Sequence, residues 1–223
     1  MKMKVGFIIP TRNEEKSIGK VLSKIPPKWK RNVIVVDTSE DKTATIARKL
    51  GAKVIIERKK GKGIAVIRGL REAVKLYDSI VVLDGDDTYN PKEAVKLLKP
   101  LELNKAEAVI GSRLKNVSTF SPSHFFGNLF LTFLVSLLLR YKVKDVCSGF
   151  FALHKNVAEF VIKYCEAEGF DFEIDMLTKL IKAKYRVYFV PISYRKRIGK
   201  SKLNIIRDSI LILRRLIKNL KGR

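Results

Sequence analysis

Four short apolar runs, KVGFIIP, NVIVVD, AKVIIE and SIVVLD, are spaced through the first half of the chain. Segments with helical spacing begin between them near Glu14, Lys42 and Gly63, so the pattern reads βαβαβαβ. Because the runs are apolar almost without alternation, they predict central strands of a mostly parallel sheet covered on both faces by helices, an α/β fold. Such sheets bind ligands beyond the C-terminal ends of their strands. Pro10, Asp37 and Asp84 each close a run and are therefore expected to face one crevice.

A second half begins near Glu107, where AEAVIGSRL predicts another strand. FFGNLFLTFLVSLLLRY is the most hydrophobic stretch of the chain, but its apolar part is only about fifteen residues and Asn128 interrupts it, against roughly 20 for a spanning helix. It reads equally as a buried helix or as one facing lipid. FDFEIDMLTKLIKAK predicts a helix and YRVYFVPISYR a strand. In the tail, Ile206, Ile210, Leu213, Ile217 and Leu220 fall at helical spacing, with Arg207, Arg214, Arg215, Lys218 and Lys221 elsewhere on the wheel. A basic amphipathic helix of this kind lies on acidic membranes, and the same pattern suits a helix docked on its own domain.

Composition narrows the partners. Lys and Arg outnumber Asp and Glu by 46 to 22, and a formal charge of +24 directs the chain toward nucleic acid, an acidic membrane surface or phosphorylated substrates. Cys147 and Cys165 are far apart, as are His124 and His154, which indicates neither a zinc site nor a disulfide framework. The reduced cytoplasm is the expected setting. The N-terminal apolar run is short and broken by Pro10 and Arg12, unlike a signal peptide. The sequence has no glutamine and much lysine and glutamate, a usage that thermophily and genome bias explain equally well.

The chemistry concentrates in IVVLDGDDTYNP, where an apolar run meets Asp84, Asp86 and Asp87. Asp84 and Asp86, separated by Gly85, suit one hard divalent cation such as Mg²⁺ or Mn²⁺, which takes few carboxylates and completes its shell with substrate phosphates. IPTRNEEKSIGKVL, VVDTSEDKTATIARKLGA, GKGIAVIRGL and LDGDDTYNP together resemble the nucleotide-binding half of an inverting GT-A glycosyltransferase of family 2. GSRL, DVCSGFFALHK, GFDFEIDML and YRKRIGKSKL are similar, in the same order, to the acceptor half of the polyprenyl-phosphate glycosyltransferases, the dolichyl-phosphate mannose synthase group.

The resemblance implies a Rossmann-like GT-A domain over about 1–203, with a nucleotide-sugar half to about 106 and an acceptor half from about 107, leaving 204–223 as a basic amphipathic helix on a membrane surface. It makes Pro10, Arg12 and Glu14 the wall around base and ribose, Asp37 the carboxylate that reads the base, and Lys62 a further donor contact. Asp84 and Asp86 would hold the donor and its Mg²⁺ or Mn²⁺; Thr88 stands where relatives often place a further metal contact, Gln. Arg113, Ser148, Arg195, Arg197 and Lys202 would bind phosphate groups of donor and acceptor, with Asp86, Arg113 and Arg197 acting on the transition state. His124 stands where relatives often carry another arginine, and His154 reads as structural.

The implied reaction is metal-dependent, inverting transfer of a hexose from GDP-mannose, UDP-glucose or UDP-N-acetylglucosamine to dolichyl (polyprenyl) phosphate, giving a lipid-linked sugar donor for protein glycosylation. The enzyme would be peripheral, at the cytoplasmic face of the membrane. Two other readings stand beside this one. A family 2 enzyme acting on a sugar hydroxyl would need a base such as Glu173 or Asp175. A nucleic-acid-binding module would explain the charge, but the sequence carries no recognised binding motif or aromatic row, and carboxylates at strand ends would repel a phosphate backbone.

Overall fold

β1 (Val5–Thr11) is the hub of the sheet, paired in parallel with β2 (Val33–Asp37) on one side and β4 (Ser79–Val82) on the other. β3 (Lys53–Ile56) adds to the outer side of β2, and α1 (Ile18–Lys24), α2 (Thr43–Lys49) and α3 (Lys62–Ala73) make the crossovers. The computed structural model describes residues 3–113, 122–198 and 205–221, apart from the side chains of 122–124 and 205–207.

Neighbouring residues of β1 feed opposite cores, which is why the run needs no polar alternation. Phe7 and Ile9 pack with Val21, Ala47 and Leu97 on one face, and Ile8 packs with Val66, Val157 and Leu177 on the other. β3 departs from the expectation that each early run is covered on both faces. It is an edge strand with Ile56 56% exposed, and its exposed Lys53 is the kind of charge that discourages further strand pairing. α1 begins at Ile18, later than expected, because the chain first makes a turn in which the Glu14 carbonyl accepts from the Ser17 and Ile18 N–H groups at 3.0 and 2.8 Å.

After α4 (Ala94–Glu102), β5 (Ala108–Ser112) and α5 (Pro122–Leu139), the chain enters a strand that hydrophobic patterning did not reveal: β6 (Phe151–His154), inside DVCSGFFALHK. It runs antiparallel between β4 and β5, pairing Val82 with Phe151 and Ile110 with Phe151. α6 (Lys155–Tyr164), α7 (Phe172–Lys182) and β7 (Val187–Pro191) follow, and the sheet order is β3-β2-β1-β4-β6-β5-β7. Because β6 is reversed, its first residues lie beside the C-terminal end of β4, and so at the ligand rim.

α5 turns Leu131, Thr132, Val135 and Asn128 inward and leaves Phe126, Phe130, Phe133 and Leu137 exposed. No described helix is long and apolar enough to cross a membrane. α8 (Ile205–Lys221) packs on α7 and buries Ile212, Leu216 and Asn219. Its seat therefore differs from the stripe expected from the sequence: Ile210 and Ile217 face outward, and Ile206 lies outside the described side chains. The difference arises because polar bonds help to define the seat. Arg215 Nε donates to Asp171 at 2.9 Å, and Asn219 Nδ2 donates to Asp175 at 2.9 Å and to Thr178 Oγ1 at 2.6 Å.

Candidate active site

The C-terminal ends of β1, β2 and β4 open into a cleft of about 280 Å³ lined by Pro10, Thr11, Arg12, Glu14, Thr38, Lys62, Asp84 and Asp86, among others. Asp37 lies beneath this lining, 1% exposed. Its carboxylate accepts from Thr11 Oγ1 at 2.6 Å and Ser39 Oγ at 2.5 Å, so it stiffens the strand ends that carry Thr11 and Thr38.

Each acidic residue of the DGDD turn has a cation partner. Lys24 Nζ meets Asp87 at 2.5 Å, Lys62 Nζ meets Asp84 at 2.9 Å and Arg197 Nη1 meets Asp86 at 2.6 Å. Thr88 donates both its N–H and its hydroxyl to Asp86 Oδ1, at 3.1 and 2.6 Å, which fixes that carboxylate. Arg197 also pairs with Glu14 across a sequence separation of 183 residues. The chain can therefore drive an apolar strand into three carboxylates because distant segments bring counter-charges to them.

Lys62 is shared. It lies between Asp84 and Glu173 of α7, whose Oε1 is 2.6 Å from Nζ and is held by charge rather than by a well-aligned hydrogen bond. Burial alone would lower the Lys62 pKa, but Asp84 and Glu173 hold it well above the usual range. Burial, with Asp86 and Glu173 as like charges, pushes Asp84 up to about 6 against the pull of Lys62. The GKG turn that presents Lys62 needs its glycines. A Cβ on Gly63 would come within 2.0 Å of the Ala167 carbonyl, and one on Gly61 within 2.4 Å of the Glu168 carbonyl. Gly149, just before β6, closes the other side: a Cβ there would be 2.6 Å from Asp84 Oδ2 and 2.7 Å from Lys62 Nζ.

The expected phosphate-binding residues separate into groups. Arg197 lines the cleft, and its Nε is buried with no hydrogen-bond partner among the described residues. Arg113 is 7% exposed, and its guanidinium makes a two-pronged pair with Asp145, both contacts at 2.8 Å, with Tyr194 5.3 Å away over its face. Asn128 of α5 donates to the same Asp145 at 2.9 Å. Arg113 is thus held firmly by its neighbours and is not among the cleft-lining residues. Neither are Ser148, which is buried and accepts from the Phe150 N–H, and Arg195, which is exposed and donates its backbone N–H to Thr88. Lys202 and the side chain of His124 lie outside the described residues. His154 is remote from the cleft and contacts Ser79 Oγ at 3.2 Å.

Several contributors were not singled out from the sequence: Thr38, Lys60, Gly169 and Phe170, together with Asp208 and Leu211 of α8. Two quoted motifs hinted at some of them: VVDTSED contains Thr38, and GFDFE begins with Gly169 and Phe170.

Asp84 and Asp86 are hard oxygen donors that line the same cleft, a chemistry that fits a divalent Mg²⁺ or Mn²⁺. Among the described residues no cluster of three or more His, Cys, Asp or Glu forms a metal-ligand set, so a cation held by this pair would take its other ligands from substrate and water.

Residues 7–161 match the family model described as Glycosyl transferase family 2. The chain belongs to that family. This family 2 glycosyltransferase is 33% identical to a dolichyl-phosphate hexose transferase of Haloferax volcanii over 96% of its length and 92% of the relative's. It is 35% identical over 90% of its length to a dolichol-phosphate mannosyltransferase of Pyrococcus furiosus, of which it spans 59%. A UDP-N-acetylglucosamine–dolichyl-phosphate N-acetylglucosaminyltransferase of Methanococcus voltae is 32% identical, with 84% of each chain covered. The GT-A fold is shared with glucosyl-3-phosphoglycerate synthase of Mycobacterium tuberculosis, solved with Mn²⁺, UDP and glucosyl-3-phosphoglycerate; the TM-score is 0.78 at 20% identity, covering 100% of this chain and 81% of that one.

Proposed function

We propose that this glycosyltransferase moves a hexose, with inversion, from a nucleotide-diphosphate sugar to dolichyl or another polyprenyl phosphate at an acidic membrane surface, using Mg²⁺ or Mn²⁺. The observation that carries the reading is the carboxylate pair at the cleft floor, flanked by Lys62 and by Arg197 with its unpartnered buried Nε. Three relatives named for transfer to dolichyl phosphate or dolichol phosphate support the acceptor class.

A metal held by Asp84 and Asp86 would neutralise charge developing on the leaving diphosphate. The protein's own groups do the rest. Arg197 and Lys62 exchange carboxylate partners for phosphate oxygens, Thr88 keeps Asp86 in place, and Pro10, Arg12 and Thr38 confine the nucleoside. A phosphate monoester is largely dianionic at neutral pH, its second pKa being about 6, and attacks without a protein base.

The hydroxyl-acceptor alternative needs such a base, and the two candidates are otherwise engaged. Asp175 is fully buried and accepts from the N–H groups of Glu166 and Ala167 at 2.7 and 3.0 Å as well as from Asn219, while Glu173 is ion-paired with Lys62. For the membrane, support comes from the exposed Phe126, Phe130, Phe133 and Leu137 of α5 in a chain of charge +24. The deciding experiment incubates the enzyme with dolichyl phosphate, Mg²⁺ or Mn²⁺ and a panel of GDP- and UDP-sugars, and identifies the lipid product by mass spectrometry. A hexosyl-phospholipid is expected. Glycosylation of dolichol lacking phosphate, abolished in Glu173→Gln, would promote the hydroxyl-acceptor reading.

A further inference from the structure

One wall of the cleft comes from the end of the chain. Asp208 and Leu211, three residues apart on α8, line it together with Gly169 and Phe170 from the turn before α7. The helix divides its surface three ways. Asp208 and Leu211 face the cleft, Ile212, Leu216 and Asn219 pack inward, and Ile210, Arg214 and Ile217 face outward. Its seat is specific: besides the bonds from Arg215 and Asn219, Lys182 Nζ donates to the Asn219 carbonyl at 2.6 Å. The helix that receives it, α7, also carries Glu173, the partner of Lys62, so the wall and the charge cluster share one support.

Asp208 is 7% exposed, and its position in this cleft is chemically selective. The other charged side chains there are the cations Arg12, Lys60, Lys62 and Arg197, which suit phosphate, and the acids Glu14, Asp84 and Asp86, which are held by those cations or suited to a metal. A further carboxylate in this cleft would repel a diphosphate, but it is a strong acceptor for paired hydroxyls of a ribose or hexose. Asp208 also has a partner within the protein, and a carboxylate offers roughly four acceptor positions, so one partner and a ligand hydroxyl are chemically compatible on it. Leu211 beside it offers apolar surface to a ring.

We infer that α8 is a built-in wall of the donor site and that Asp208 is a specificity-determining residue, accepting hydrogen bonds from hydroxyl groups of the donor's ribose or sugar. The inference rests on the nucleotide-sugar reading. It also means that residues after 203 are part of the donor site and not solely an attachment to a membrane.

The test measures binding of GDP- and UDP-sugars, and of GDP and UDP alone, to the full-length protein by calorimetry with Mn²⁺, beside steady-state KM and kcat. Asp208→Ala is expected to weaken donor binding and raise KM by about 10-fold or more, the range for losing hydrogen bonds to a charged acceptor, with kcat changed much less. Asp208→Asn, which keeps the volume, should fall between; it carries the comparison if the alanine variant melts early. Equal loss for nucleotide and nucleotide-sugar assigns the contact to ribose, and loss for the nucleotide-sugar alone assigns it to the hexose. Asn219→Ala, which loosens the seat, should also raise KM for the donor. Unchanged donor affinity in both Asp208 variants, with wild-type binding intact, overturns the inference and leaves the nucleotide-sugar reading standing. Failure of the wild type to bind any nucleotide-sugar overturns both.

Discussion

Gly149 shows how little room the site leaves. A methyl group in its place would press on both Asp84 and Lys62, two half-buried charges that pair with each other at 2.9 Å. We expect Gly149→Ala to reduce turnover on the order of 10²-fold while lowering the melting temperature far less, a contrast that steady-state kinetics and a thermal melt will reveal. Asp86→Ala removes a candidate metal ligand, and it also leaves Arg197 with Glu14 alone as a carboxylate partner among the described residues. A loss on the order of 10²-fold or more is expected, and full activity in EDTA would remove the metal from the account. At this scale the sequence announced the acids but not what balances them. DGDD is contiguous, whereas Lys24, Lys62 and Arg197 reach it from three other elements, and no local pattern encodes that convergence. Arg113 shows the converse. GSR marked it as a phosphate ligand, and the fold binds it tightly to Asp145, 32 residues away.

Among the elements, the early βα units were legible because a strand buried on both faces has an uninterrupted apolar signature. β6 was not, since only four residues long and preceded by small and polar ones, it offers too little periodicity to separate strand from loop. The seat of α8 escaped for a related reason: part of what holds it is hydrogen bonding between Asn219, Asp175 and Thr178, which a hydrophobic wheel does not register. That seat has a testable pH signature. Burial would raise the Asp175 pKa, but the bonds from Asn219, Lys179 and the N–H groups of Glu166 and Ala167 lower it below the ordinary 3.8. A carboxylate depressed in the folded state stabilises the protein above its unfolded pKa, and that contribution fades as pH falls through the lower folded value. Asp175→Asn should therefore cost about 1–3 kcal/mol at neutral pH, by turning an amide toward two backbone donors. Denaturant melts should show the gap from wild type closing as pH drops below about 4.

On the scale of the whole molecule, the proposed membrane role would combine charge with exposed apolar surface. Attraction of a +24 chain to acidic lipid and burial of Phe130 and Phe133 would be separable contributions, because salt screens the first and leaves the second. Phe130→Ser with Phe133→Ser should reduce co-sedimentation with phosphatidylserine vesicles at high salt, where electrostatic attraction is weakest, while leaving nucleotide affinity intact. Equal sedimentation of variant and wild type would show that another surface holds the membrane.

The span of the cleft along the chain also shapes how the enzyme comes into being. Its lining runs from Pro10 to Leu211, and one ion pair, Arg197 with Glu14, closes a loop of 183 residues. During synthesis the early βα units can fold while the ribosome still holds α8, but the cleft lacks a wall until that helix emerges. A nascent chain would therefore carry the DGDD acids before Arg197 has been made to neutralise one of them. On the proposed function, nucleotide-sugar present at that moment would act as a folding ligand, drawing α8 onto α7 and making assembly of the enzyme sensitive to the supply of its own donor.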